Sequence, residues 1–139
     1  IKRIPAKAHR AILERYPGVG GGEDELPAAL CALLEDSAWV EDPVMSQILK
    51  KPLIELAYDY IAEEKDSRGR KLNPVAGFHL GNGARVTRSN INVAANTTPR
   101  GLEESCGLMV NYIYSQKALG PIGRAVRSLL PWGRQAPHN

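Results

Sequence analysis

Charge of one sign, cysteine and long apolar runs are all scarce in this chain, and each shortage excludes something. Lysine and arginine total 18 against 15 aspartates and glutamates, a formal net charge of +3. So slight an excess argues against a nucleic-acid partner, although a local basic patch for a phosphorylated ligand stays open. The two cysteines, Cys31 and Cys106, follow no metal-ligand spacing, so no metal is expected. With so few cysteines and no signal-peptide pattern, a reduced, cytoplasmic setting is expected. No apolar run approaches the roughly 20 residues that cross a bilayer, so no membrane span is expected. Residue 1 is Ile1 rather than methionine, and the chain reads as a fragment or a processed product. What is present is ordinary: 43% hydrophobic residues among 139, enough for one modest domain or part of one.

The periodicity predicts helices first. Over residues 7–16, Ala8, Ile12 and Leu13 share one side and Arg10, Glu14 and Arg15 the other, until Pro17 and Gly18 stop the helix. Residues 18–25 are glycine-rich and then acidic. They lack the Lys-Ser/Thr of a nucleotide loop, and Glu23, Asp24 and Glu25 would repel an anion, so the stretch reads as a connector. A second helix is expected over 26–35, with Leu26, Leu30, Leu33 and Leu34 as its stripe and Pro27 in its first turn. A link containing Trp39 leads to a helical region over 44–64. Pro52 should break or restart that region, because proline removes a backbone donor and clashes with the preceding turn. Leu53, Leu56, Ala57, Tyr60 and Ile61 recur there as a core face. Residues 66–71 form a charged turn, and 85–93 alternate as a strand. Thr98 can cap a helix that begins with Pro99. Leu102, Cys106, Met109 and Ile113 then follow at spacings of four, three and four, one face of a helix expected to run to about Leu119. A short basic amphipathic helix over 122–130 and a disordered end over 131–139 complete the reading.

Three motifs stand out in the second half. The first is Asn-Pro-Val-Ala-Gly-Phe-His-Leu-Gly-Asn-Gly-Ala over 73–84, the second Arg88-Ser89-Asn90, the third Arg-Gly-Leu-Glu-Glu-Ser-Cys-Gly-Leu-Met-Val-Asn-Tyr-Ile-Tyr over 100–114. Phe78 and Leu80 call for burial, which would hold His79 in a defined pose. Gly81, Asn82 and Gly83 let the backbone turn tightly beside it. Imidazole exchanges protons near neutral pH, so a held histidine beside bare backbone suits proton transfer. A structural histidine bonded to a backbone carbonyl is the alternative.

Together these motifs resemble the C-terminal part of the malonyl-CoA decarboxylase family. The resemblance runs from Tyr58 through Glu64-Lys65 and Arg68-Gly69 to Tyr114, more weakly through 30–56, and stops after Ser115. It implies an α/β architecture, part of a catalytic domain similar to the acetyl-CoA-dependent N-acetyltransferase fold, with helices in the first half and strands with a helix in the second. Residues 1–65 would then be a helical packing region, 66–119 the site-bearing region and 120–139 a basic tail. The implied activity of the parent protein is decarboxylation of malonyl-CoA to acetyl-CoA and carbon dioxide. The thioester is itself the electron sink, so no cofactor is expected. Two alternatives stay open: an acyl-CoA transferase on the same fold, and a non-catalytic interaction module built from the first helices. A homo-oligomer is compatible with either.

The resemblance also assigns residues. His79 would orient and activate a serine that the family carries upstream in a Ser-Pro-x-Pro-Gly-Phe motif, which this chain lacks. Aligned from Ser105-Cys106-Gly107, the family's catalytic tyrosine corresponds to Tyr114. On the expected helix Tyr112 and Tyr114 would diverge by about 200°, so only one could serve the site. Asn82, Asn90 and Asn111 could offer amide donors to a thioester oxygen, with turn or cap duty as the alternative. Arg88, and less clearly Arg85 and Arg100, could meet phosphates of coenzyme A. Tyr112 counts among the substrate-binding candidates. Cys106 reads as a packing residue rather than a nucleophile. Two features depart from the family: the strand over 85–96 is poorer in bulky apolar residues, and a few residues are inserted before Arg100.

Overall fold

The computed structural model describes residues 4–15 and 25–115. The connector expected over 18–25 lies largely outside them, and the helix over 122–130 and the tail over 131–139 lie wholly outside. The described chain folds as helices α1 (Ala6–Arg15), α2 (Glu25–Asp36), α3 (Pro43–Tyr58), α4 (Pro74–Gly81) and α5 (Pro99–Ser105). With them go four two-residue strands, β1 (Ala84–Arg85), β2 (Ile91–Asn92), β3 (Met109–Val110) and β4 (Ile113–Tyr114). The result is a mixed α/β arrangement. Among the described residues, no helix is long and apolar enough to cross a membrane.

The first three helices build the larger core. Ile12 of α1, Leu26, Ala29, Leu30 and Leu33 of α2, and Leu49 and Leu53 of α3 close around Trp39. Trp39 is 2% exposed, set in a 3₁₀ turn (Ala38–Val40) that follows a left-handed Ser37. Asp42 starts α3: its Oδ1 accepts the N–H groups of Val44 and Met45, both at 3.0 Å, and Pro43 occupies the first turn. The expected break at Pro52 does not occur. Its missing N–H costs about 3 kcal/mol in a free helix. Here Pro52 is buried between Leu49 and Leu53, and their burial offsets the lost bond. Beyond Tyr58 the chain widens into a π turn (Asp59–Glu63), closed by the Glu64 N–H on the Asp59 carbonyl at 2.8 Å.

The charged turn appears as expected. Lys65 and Lys71 bridge antiparallel, and Asp66 Oδ1 accepts the N–H groups of Arg68 and Arg70 at 2.9 and 3.0 Å. The Arg70 N–H, assisted by the Arg70 guanidinium and the Arg68 N–H, holds the Asp66 carboxyl below the usual range. Asn73 then caps α4 by accepting the Ala76 N–H at 2.9 Å. Helical geometry corrects the expectation for Phe78. Ala76 and Leu80 lie four apart on the inward face, which sets Phe78 about 200° away and leaves it 66% exposed.

The strand expected over 85–93 is interrupted. Asn90 Oδ1 accepts both the backbone N–H and the hydroxyl of Thr87 at 2.9 Å, drawing Arg88–Asn90 into a 3₁₀ turn. The flanking pieces are β1, which pairs antiparallel with β4, and β2, which pairs antiparallel with β3. Thr98 and Pro99 start α5 as expected, the Thr98 hydroxyl accepting the Gly101 N–H at 3.1 Å. The helix to Leu119 does not form. It ends at Ser105, where Cys106 (φ 51°) and Gly107 (φ 72°) reverse the chain. From there the chain is extended and alternates. Val110, Tyr112 and Tyr114 turn inward, while Met109 (48% exposed) and Ile113 (45%) turn outward. A second, smaller core gathers Ile61, Ala76 and Ile91 with Leu80, Val110 and Tyr112.

Gly101 allows the close approach that seats α5, because a Cβ there would overlap the Asn96 carboxamide. Gly101→Ala should therefore cost about 1–3 kcal/mol. Gly81→Ala, with nothing within 4 Å of the added Cβ, should be neutral or stabilising by up to about 1 kcal/mol. Urea midpoints of the two variants check this, and equal midpoints would refute it.

Candidate active site

His79 sits in the last turn of α4, one helix-end away from β1. Gly83 (φ 84°) turns the chain directly into β1, whose Ala84 pairs with Tyr114. The β1–β4 ladder therefore lays Tyr114 beside the end of α4. His79 Nδ1 lies 2.9 Å from the Tyr114 hydroxyl oxygen. Burial alternates along residues 109–114, so Tyr112 shares the face of Tyr114 rather than opposing it. Its ring stacks on the imidazole with centroids 4.4 Å apart and planes 15° from parallel. Phe78 meets the imidazole edge-on at 5.4 Å and 80°. The expected divergence of the two tyrosines does not occur, and both rings meet His79. A two-residue step reverses direction on a helix and repeats it on a strand.

The electrostatics of the cluster are simple. Burial pushes the Tyr112 phenol up, so its ring stays neutral. Tyr114 occupies Nδ1, so proton exchange with a third group falls to Nε2. If Nδ1–H donates to the Tyr114 oxygen, Nε2 is an unprotonated base, and the Tyr114 O–H remains available to a substrate oxygen.

None of the remaining candidates is hydrogen-bonded to His79 or Tyr114 among the described residues. Asn82 caps α4, its amide donating to the Phe78 carbonyl at 2.7 Å. Asn90 holds the turn with Thr87, and its carbonyl accepts the Asn111 N–H at 2.9 Å. Asn111 is exposed between Val110 and Tyr112, on the opposite side of the strand from both. The Arg88 guanidinium meets both carboxylate oxygens of Glu55 at 2.9 Å and lies 4.1 Å above the Tyr58 ring. The bond to Glu55 raises its pKa further. Arg100 pairs with Glu104 along α5 at 2.7 Å, and Arg85 is exposed on β1. The partnership of Arg88 with Glu55 and Tyr58 had no local signal in the sequence. Cys106 closes α5, and burial, with the nearby Cys31, pushes its thiol up, away from the thiolate a nucleophile requires. A groove of about 690 Å³ lined by Cys31, Leu34, Leu102 and Cys106 holds none of the candidate residues.

Comparison with known proteins fits this geometry. Residues 8–122 match the family model described as malonyl-CoA decarboxylase C-terminal domain. The chain is 47% identical over 92 residues to the mitochondrial malonyl-CoA decarboxylase of Anser anser anser, covering 66% of this chain and 18% of that protein. It is 44% identical over 98 residues to the protein so named in Rattus norvegicus, covering 70% and 19%. Against the Mus musculus protein of that name it is 45% identical over 93 residues, covering 67% and 18%. The chain thus spans under a fifth of the length of these relatives. Their names overturn the expectation of a cytoplasmic setting, since each is called mitochondrial. Scarce cysteine reports on redox conditions and not on address. A match over most of its length, which includes the segments that carry His79 and Tyr114, makes this chain a member of the malonyl-CoA decarboxylase family, in the family's C-terminal domain.

Proposed function

We propose that this chain supplies the histidine–tyrosine half of a malonyl-CoA decarboxylase site in its parent protein. The observation that carries the reading is the 2.9 Å contact between His79 Nδ1 and the Tyr114 hydroxyl. Loss of carbon dioxide from malonyl-CoA breaks the bond between the carboxylate and the α-carbon. The electron pair moves into an enolate whose oxygen was the thioester carbonyl. That oxygen needs a hydrogen-bond donor, typically worth roughly 10²–10³ in rate. The α-carbon then needs a proton, and a positioned acid or base contributes roughly 10²–10⁴. With Nδ1–H on Tyr114, Nε2 of His79 is poised to orient a hydroxyl and relay its proton. The serine that the resemblance implies would be that hydroxyl, supplied by the parent outside this chain. Tyr114, accepting from Nδ1, can give its own O–H to the substrate. The thioester accepts the electron pair, and acetyl-CoA and carbon dioxide leave.

The finer fold assignment belongs to the same proposal. The mixed α/β arrangement supports a relationship to the acetyl-CoA-dependent N-acetyltransferase fold, and the relatives' names support a mitochondrial parent. Substrate contacts by Asn82, Asn90, Asn111 and Arg88 belong to the proposal as well; Asn82, Asn90 and Arg88 are engaged in a cap, a turn and the Glu55 pair, while the Asn111 side chain is exposed. Supplying an amine acceptor tests for acyl transfer, which would consume it where decarboxylation would not.

In the parent protein, His79→Ala should lower kcat by roughly 10²-fold or more with the fold retained, and near-normal release of carbon dioxide would remove His79 from the chemistry. Tyr114→Phe, which removes only a hydroxyl, should lower kcat at least about tenfold. The 139 residues alone should release no carbon dioxide from malonyl-CoA, because the serine is absent. Robust turnover by the isolated chain would sink the serine–histidine reading.

A further inference from the structure

We propose that Tyr112 is a positioning residue whose ring clamps the His79 imidazole face-on and so keeps Nδ1 on Tyr114. The inference rests on the His79 reading above and gives Tyr112 a different part from the substrate contact expected of it. An imidazole in the last turn of a short helix can rotate about its Cβ–Cγ bond, and that torsion is broad. Rotation here would lift the ring off Tyr112, from which it now lies 15° from parallel at 4.4 Å. It would also swing Nδ1 away from the Tyr114 oxygen at 2.9 Å. Phe78, edge-on at 80°, limits the ring from another direction. Stacked pairs of this kind bias orientation by roughly twofold to tenfold.

The clamp is itself fixed. Tyr112 packs on the second core, whose buried members are Ile61, Ala76 and Ile91. Ala76 belongs to the same helix as His79, so clamp and clamped ring share one support. Extended geometry puts Tyr112 and Tyr114 on one face, one stacking and the other bonding. The Tyr112 contact with His79 is made by the ring, not the hydroxyl.

The test uses the parent protein with ¹⁵N-labelled histidine and three variants. Tyr112→Phe keeps the ring and should hold kcat within threefold. It should also keep the His79 tautomer and the upfield ring-current shift of its imidazole protons. Tyr112→Leu should lower kcat at least fivefold at unchanged KM, remove that shift and give mixed tautomers. Val110→Ala, a core truncation beside it, should lower stability while leaving kcat and the imidazole signals intact. Loss of activity in Tyr112→Phe would show that the hydroxyl matters and overturn the proposal. So would an unchanged imidazole in Tyr112→Leu, or a Val110→Ala variant that disturbs the imidazole equally. Should His79→Ala retain turnover while Tyr112→Leu still frees the ring, the clamp stands and the catalytic reading of His79 fails.

Discussion

The chain reversal at Cys106 and Gly107 is the constraint on which the site depends. It places a non-glycine residue at φ 51°, at a cost of about 1 kcal/mol. The return is a dense set of backbone bonds. Cys106 and Gly107 donate to Leu102 and Gly101 at 3.0 Å each, and the Gly107 carbonyl accepts from Ala95 and Asn96 at 2.9 and 3.2 Å. These bonds end α5 and fasten its end to the segment that precedes it. Only because the helix stops here does the following stretch become extended. Only an extended stretch turns both tyrosines toward one histidine.

Leu108, the first residue after the reversal, packs against both cores. It joins the three-helix body around Trp39 to the smaller core beneath the site. Arg88 makes a second link, from the turn before β2 across to Glu55 and Tyr58 of α3. The site therefore rides on the small core and is referenced to the large one. The first helices pack together around Trp39 and give that smaller core its support.

What could be read from the sequence followed the range of the forces involved. The stripes of α1 and α2, the Thr98 cap with Pro99, and the Asp66 turn obey rules that act over a few residues, and they appear where expected. Pro52 departs from its local rule because its penalty is offset by burial together with Leu49 and Leu53, which a local rule does not register. The four-three-four spacing points to a helix through Met109 and Ile113, but Gly107 and the β-prone run Val110, Tyr112, Ile113, Tyr114 prevail and the stretch is extended. The four apolar residues in fact belong to a helix end and two strands. Apolar character alone places Phe78 inside, but the angle set by Ala76 and Leu80 turns it outward. The pairing of His79 with Tyr114 could not be read from spacing at all, and only the resemblance joined them.

His79 and Tyr114 are 35 residues apart. Bringing two such points together in a loose chain costs about 3 kcal/mol of loop entropy, more than one hydrogen bond returns. Direct closure is therefore a poor way to assemble them. The β2–β3 ladder, with Asn92 opposite Met109, encloses a shorter loop that already contains α5. Once it forms, little free chain remains for β1 and β4 to close. Loop entropy therefore favours closing the inner ladder before the outer one. The His79–Tyr114 contact lies at the outer ladder, so it holds only while that ladder stays closed.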